Sequence, residues 1–498
     1  MPVKLYDPQF DHERIAPTQP RPDAPDDSYR SPIRKDYGRL IHSAAFRRLQ
    51  GKTQLFPSHE DDFFRNRLTH SIEVAQIAKS IATKLNYQHD FFKADPIDVD
   101  IVEVASLCHD LGHPPFGHTG EEALDHQMKD KGGFEGNAQT FRILARLEKK
   151  LTLKSDGQGA PTPYEAGKDL RCGLNLTARV LASVLKYDAE IPQLDKERGD
   201  KIGKVFKGYY GADKEIVEFT KSKVLRGVDY TGSFKTIECS IMDIADDIAY
   251  STYDLEDSFK AGFINPLDMF ASPPALLDSV ASKVNEKIQE AYTPDEIKAA
   301  LNGLKFTSTH VRSVFATLFK TLFKSKAALE HLKNTDLEDN VKIALISKEV
   351  ATASRNVISN GYIRTDLTSE FVGGFIEGVK VIPDDKLPPM LWNAKLDILT
   401  FAKIETLKKY NFEAQILSSR LKVPEHRGKE IVTTIFKKIA DNEAALLPDD
   451  CRNLYEHAKG HDKDRIVCDF VAGMTDRYAV EFYNRLVGST PVTIYKPL

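Results

Sequence analysis

The chain has 498 residues, more than one hydrophobic core usually organises, so two or three packed lobes are expected. Its 41% hydrophobic and 29% charged residues exclude disorder throughout; 69 Lys plus Arg against 73 Asp plus Glu, a formal charge of −4, exclude a surface built to coat nucleic acid, so any anion site must be local. The five cysteines, Cys108, Cys172, Cys239, Cys451 and Cys468, lie far apart with no CxxC pair, which excludes a disulfide scaffold or cysteine zinc finger and points to a reduced, cytoplasmic chain.

Residues 1–33 carry seven prolines among charged residues and are expected to form an extended arm; being polar, they do not read as a secretory leader. Beyond them the apolar spacing is helical. Ile72, Ala75, Ile77, Ala78, Ile81, Ala82 and Leu85 predict one helix, Ile101, Val102, Val104, Ala105 and Leu107 a second, and Ile237, Ile241, Ile244, Ala245 and Ile248 a third over about 236–260. Gly and Pro near 151–173 and lysines over 191–232 read as loop insertions, after which helical patterns resume to the end. No run approaches the ~18 apolar residues of a membrane span. The expected fold is mainly all-α with at most a minor β-hairpin: the arm at 1–33, a catalytic helical core at 34–262 and a helical C-terminal region at 263–498.

Chemistry concentrates in the run His109-Asp110-Leu111-Gly112-His113-Pro114-Pro115-Phe116-Gly117-His118. An apolar helix delivers His109 and Asp110 at its C-terminal end, and Gly and Pro then turn the chain. By itself such a pair reads equally as a helix cap favoured by the dipole. His70 lies on the preceding amphipathic helix, and Asp246, Tyr250 and Asp254 recur every four residues on the 236–260 helix, a stripe that could be merely solvated. Taken together, two imidazoles and two carboxylates form a mixed N/O set suited to a divalent ion.

In the order His70, His109-Asp110, Asp246, the sequence resembles the HD superfamily of metal-dependent phosphohydrolases. Its flanks are similar to the deoxyguanosinetriphosphate triphosphohydrolase branch: Ile41-His42-Ser43-Ala44-Ala45-Phe46-Arg47-Arg48-Leu49-Gln50, Lys52-Thr53-Gln54, Arg65-Asn66-Arg67-Leu68-Thr69-His70, Phe134-Glu135-Gly136-Asn137 and Ala472-Gly473-Met474-Thr475-Asp476-Arg477. The resemblance implies an HD-domain core with one divalent ion per site, Mn²⁺ or Mg²⁺ ahead of Fe²⁺, Ni²⁺, Zn²⁺ or Co²⁺, held by His70, His109, Asp110 and Asp246, with Asp247 the rival for the last place. It implies acid/base catalysis by His118 with Glu121 as its partner. Substrate contacts fall on Gln54 and Asp254 at the sugar 3′ hydroxyl, Tyr250 under the deoxyribose, and Arg67, His113, Asn175 and Lys207 near the phosphates. Gly136 stands where many relatives carry His, which puts a phosphate contact of that residue in doubt.

The implied activity is hydrolysis of dGTP to deoxyguanosine and inorganic triphosphate, with a broad dNTP triphosphohydrolase as the nearest alternative and an HD-fold nucleotide sensor or single-stranded DNA-binding protein as the rival class. Relatives assemble as homo-oligomers, hexamers or tetramers, and some respond to single-stranded DNA or a dNTP effector, so both are expected partners; a membrane is not.

Overall fold

A computed structural model describes residues 3–17, 27–55, 64–155, 161–165, 167–320, 338–416, 419–442 and 445–488. The fold is all-α, with strands of only two or three residues. One antiparallel hairpin pairs Tyr164–Glu165 with Lys168–Asp169. No helix among the described residues is long and apolar enough to cross a membrane, and all five cysteines are free thiols.

The chain forms two compact units. The first comprises Met1–Ala245, Val381–Ala394 and Val423–Leu498, the second Asp246–Lys380 and Lys395–Lys422. These units cut across the expected division at 262. The C-terminal segment belongs to the first unit because its apolar side chains complete that unit's core: Val432, Phe436, Val467, Val471 and Phe482 share one buried cluster with Leu124, Met128 and Phe134.

Among the described residues, eleven α-helices run along the chain to residue 260: α1 (Pro8–Asp11), α2 (Pro32–Ile41), α3 (Ala44–Arg48), α4 (Arg67–Gln88), α5 (Asp90–Ala94), α6 (Val99–Cys108), α7 (Gly117–Met128), α8 (Gly136–Arg142), α9 (Ala178–Ser183), α10 (Lys214–Leu225) and α11 (Ile237–Lys260). A reciprocal cap starts α4: the Asn66 side chain accepts from the Thr69 amide at 3.0 Å and the Thr69 hydroxyl accepts from the Asn66 amide at 3.1 Å. Arg67 thereby becomes the first helical residue, with His70 one turn further on the same face. The α4 stripe is buried as its spacing predicts, except Ile72, which is 52% exposed because it falls off the line of Ala75, Ala78 and Ala82. The helix packs along α6, whose start is capped by Asp98.

Two expectations are corrected. The 191–232 segment is not all loop: α10 buries Ile216, Val217, Thr220 and Val224, a helical spacing masked in the sequence by the surrounding lysines. The described part of the N-terminal arm, 3–17, is tied down. Leu5 is fully buried; Arg14 pairs with buried Asp36 at 2.5 Å, and the Asp36 carboxylate also accepts from the Thr177 amide at 2.8 Å. Prolines 20, 22 and 25 lie outside the described residues.

In the second unit the helix Pro274–Ala291 lies along Ile398–Ile416 and beside Ser308–Leu318. Phe315 meets Tyr410 edge-on at 5.1 Å.

Candidate metal centre and active site

His109 caps the C-terminus of α6 and Asp110 follows it in the turn. His70, from α4, meets them: one ligand atom from each of the three residues lies within 4.8 Å of the others, and all three are buried. The His70 and His109 ring centroids are 5.4 Å apart. His109 Nδ1 is 2.7 Å from the Ser106 carbonyl, and a carbonyl only accepts, so Nδ1 carries the proton and Nε2 the lone pair. That lone pair faces the Asp110 carboxylate at 3.4 Å. Two acceptors turned toward each other in a buried place are mutually repulsive unless a cation lies between them, so the donor set fits a divalent ion.

Arg67 donates from Nη1 to Asp110 Oδ2 at 2.7 Å, with both side chains almost fully buried. His113 Nδ1 lies 2.9 Å from Asp110 Oδ1. Burial alone would raise the Asp110 carboxyl, but the charges of His113, Arg67 and His109 hold it well below the usual carboxylate range. Burial, then the Arg67 charge, lowers His113 against the pull of Asp110. Arg67 is therefore already engaged with a metal-side carboxylate.

The turn that follows is tightly built. Thr140 on α8 donates its hydroxyl to the His109 carbonyl at 3.0 Å and accepts from the Gly112 amide at 2.9 Å. A Cβ at Gly112 would stand 2.1 Å from the Gly136 carbonyl oxygen, so only glycine allows α8 this close. Phe116 adopts φ +63°, a left-handed conformation that for a bulky residue costs about 1–3 kcal/mol. It launches α7, so that His118 and Glu121 fall one turn apart, with His118 Nδ1 3.2 Å from Glu121 Oε2. The His118 side chain is 79% exposed, and its ring stands edge-on to His113 at 5.9 Å. Glu121 Oε1 accepts from the Gly136 amide at 2.7 Å. Burial would raise the Glu121 carboxyl, yet the hydrogen bond from His118 and the charges of His113 and His118 take it down to about 2. A Cβ at Gly136 would lie 3.2 Å from Glu121 Oε1, so this position serves the carboxylate through its backbone.

The structure thus brings together His70, Arg67, His109, Asp110, His113, His118 and Glu121. Gln54 presents a buried side-chain oxygen with no hydrogen-bond partner among the described residues. Asn175 does not match its expected phosphate role: it is fully buried, its side-chain amide is paired with both backbone groups of Ala16 at 2.9 and 3.0 Å, and its carbonyl accepts from Arg14 and Arg39. It is an anchor for the N-terminal segment. Lys207 is exposed and donates to the Tyr187 hydroxyl at 3.1 Å.

Asp246, Tyr250 and Asp254 belong to the second unit, all on α11. Asp247 is engaged there by Lys408 Nζ at 2.5 Å, which also reaches Glu405 at 2.8 Å. Burial, followed by the charge of Asp254, raises the Tyr250 phenol above its ordinary value. Asp476 and Lys52, which lie in family-like motifs but carry no expected role of their own, bond to backbone groups at the edge of the site.

An HD domain model matches residues 67–159, and a phosphohydrolase-associated domain matches 397–485. The fold, the His-His-Asp cluster and these matches define a helical, metal-dependent HD phosphohydrolase. Among similar proteins, the deoxyguanosinetriphosphate triphosphohydrolase-like protein 2 of Mesorhizobium japonicum is 44% identical over 98% of this chain and 99% of its own. Deoxyguanosinetriphosphate triphosphohydrolase-like proteins of Haemophilus influenzae and Shewanella sediminis are 31% and 30% identical over 95% and 92% of both chains. The chain belongs to the deoxyguanosinetriphosphate triphosphohydrolase-like family of HD-domain phosphohydrolases.

Proposed function

We propose that this protein hydrolyses dGTP to deoxyguanosine and inorganic triphosphate, by attack of water on the α-phosphorus. The reading rests above all on the buried His70, His109 and Asp110 cluster standing beside the His118–Glu121 pair. Asp246 completes the ligand set. It is preferred over Asp247 because Tyr250 and Asp254 follow it at four-residue spacing on the same helix face, whereas Asp247 pairs with Lys408. A divalent ion held there supplies a Lewis acid at a phosphoryl oxygen.

The protein's own residues perform the remaining tasks. Glu121, ionised across the physiological range, accepts a hydrogen bond from His118 Nδ1–H and so turns the Nε2 lone pair toward the reacting atoms, where it takes the proton of the attacking water and passes it to the departing 5′ oxygen. Arg67 keeps Asp110 ionised and, with His113, faces the phosphates; Lys207 adds a cation from the rim. Gln54 and Asp254 read the 3′ hydroxyl. Tyr250 lies under the deoxyribose and leaves no room for a 2′ hydroxyl, a rejection that steric exclusion and an unpaired buried hydroxyl together make selective.

The test is product analysis over the four dNTPs and GTP with each divalent ion. Tripolyphosphate from dGTP, with little turnover of GTP, is the expected result. Orthophosphate or pyrophosphate would overturn the reaction assigned, and equal rates on all four dNTPs would replace dGTP by dNTPs at large.

A further inference from the structure

The segment 472–477 carries no role in the reaction as derived so far, yet it reaches the site from the far end of the sequence. Asp476 is the first residue of the helix Asp476–Val487. Its two carboxylate oxygens each take one backbone amide: Oδ2 accepts from Thr53 at 2.8 Å and Oδ1 from Phe116 at 2.9 Å. Thr53 precedes Gln54, and Phe116 is the strained residue two before His118. Beside it, Lys52 is buried and donates from Nζ to the carbonyls of His113 at 2.5 Å and Ala472 at 3.0 Å. One carboxylate and one amine therefore fasten the same two segments to the same helix junction. The Phe116 ring is backed by Gly428, where a Cβ would come within 2.9 Å of it.

We infer that Asp476, assisted by Lys52, is a positioning residue of the active site, setting the separation between the segment that reads the sugar 3′ hydroxyl and the turn that presents His118. Neither side chain touches the reacting atoms. A carboxylate can accept both amides at once, whereas an amide side chain can accept one and must turn an N–H toward the other. Asp476→Asn therefore breaks one arm of the clamp with almost no change in volume, and Asp476→Ala breaks both.

The inference rests on the proposed reaction for its kinetic signature, so the experiment has a second readout. Wild type, Asp476→Asn and Asp476→Ala are compared on dGTP and on 2′,3′-dideoxyGTP, and by amide hydrogen exchange in peptides covering 50–55 and 112–118. Both variants should lose roughly 10- to 100-fold in kcat on dGTP, and the preference for the 3′ hydroxyl should shrink, most of all in Asp476→Ala. Exchange should accelerate in one of the two peptides for Asp476→Asn and in both for Asp476→Ala. Equal losses on the two nucleotides, or unchanged exchange in Asp476→Asn, would overturn the inference. Should wild type release no triphosphate from dGTP, the proposed reaction fails on its own, and the exchange measurement still decides the clamp. Where Asp476→Ala does not fold, Asp476→Asn carries the test alone.

Discussion

Replacing Glu121 by Gln isolates the charge of the partner that orients His118. In the native site the carboxylate takes the Gly136 amide on one oxygen at 2.7 Å and faces His118 Nδ1 with the other at 3.2 Å. A glutamine can keep the first contact through its carbonyl oxygen but then presents an NH₂ group to Nδ1. That group favours the tautomer with the proton on Nε2, the wrong state for a group that must first take a proton there. Loss of a charge-assisted hydrogen bond is worth about 1.5–3 kcal/mol, or roughly 10- to 150-fold in rate. With the His118 side chain 79% exposed, water competes for Nδ1 and the lower end applies. The assay is kcat for triphosphate release between about pH 5 and 9, beside a melting curve. The basic contact to Gly136 survives, so the melting temperature should move by less than about 2 °C. Because Glu121 is held down to about 2, its contribution to stability is present above about pH 4.3 and is lost as pH falls toward 2; the variant should lack that part of the acid transition. An unchanged kcat with an unchanged pH profile would refute the role given to the pair.

Asp246→Ala should abolish both Mn²⁺ binding, measured by titration, and hydrolysis, whereas Asp247→Ala should retain metal binding; the reverse pattern would exchange the two aspartates. Lys52 is pulled down to about 7 by burial and then by the Arg67 charge. An unfolded lysine titrates near about 10.4, so between about pH 7 and 10 the unfolded chain binds the extra proton and stability rises with pH. The stability difference between wild type and Lys52→Met, from urea unfolding, should grow across that window; a flat difference would count against a readily deprotonated buried amine. Arg179 and Glu238 are both fully buried and paired at 2.9 Å, with the Tyr6 hydroxyl donating to the same carboxylate at 2.5 Å. Arg179→Met should cost about 3–5 kcal/mol by leaving the buried Glu238 carboxylate without its cation. Adding Glu238→Leu should recover much of that, and a simple sum of two losses would contradict the pairing.

The sequence made the local features legible. Helical spacing located α4, α6 and α11, and the ordered run of His and Asp residues marked three side chains whose ligand atoms the fold brings within 4.8 Å of one another. Less visible were contacts made through the backbone. Asn175 looks like a polar residue in a loop, but its whole amide is matched to Ala16, a pairing that leaves no periodicity and no motif. Asp476 acts on the amides of Thr53 and Phe116, which any residue would offer. Lys-rich composition hid α10 because surface charge and buried apolar spacing coexist on one helix. The compact units do not follow a single cut at 262 for a related reason: patterning shows that a face is apolar, not which distant segment covers it.

The return of residues 423–488 to the first unit has a consequence for synthesis on the ribosome. Leu124, Met128 and Phe134 share their core with Val432, Val467 and Phe482, and the bonds of Asp476 span 360 and 423 residues. The body of the second unit, Asp246–Lys380, therefore emerges while the first still has an uncovered apolar face. Completion of the first unit's core waits for residues 423–488, so a chain cut before them has His70, His109 and Asp110 in place and the core that supports them unfinished.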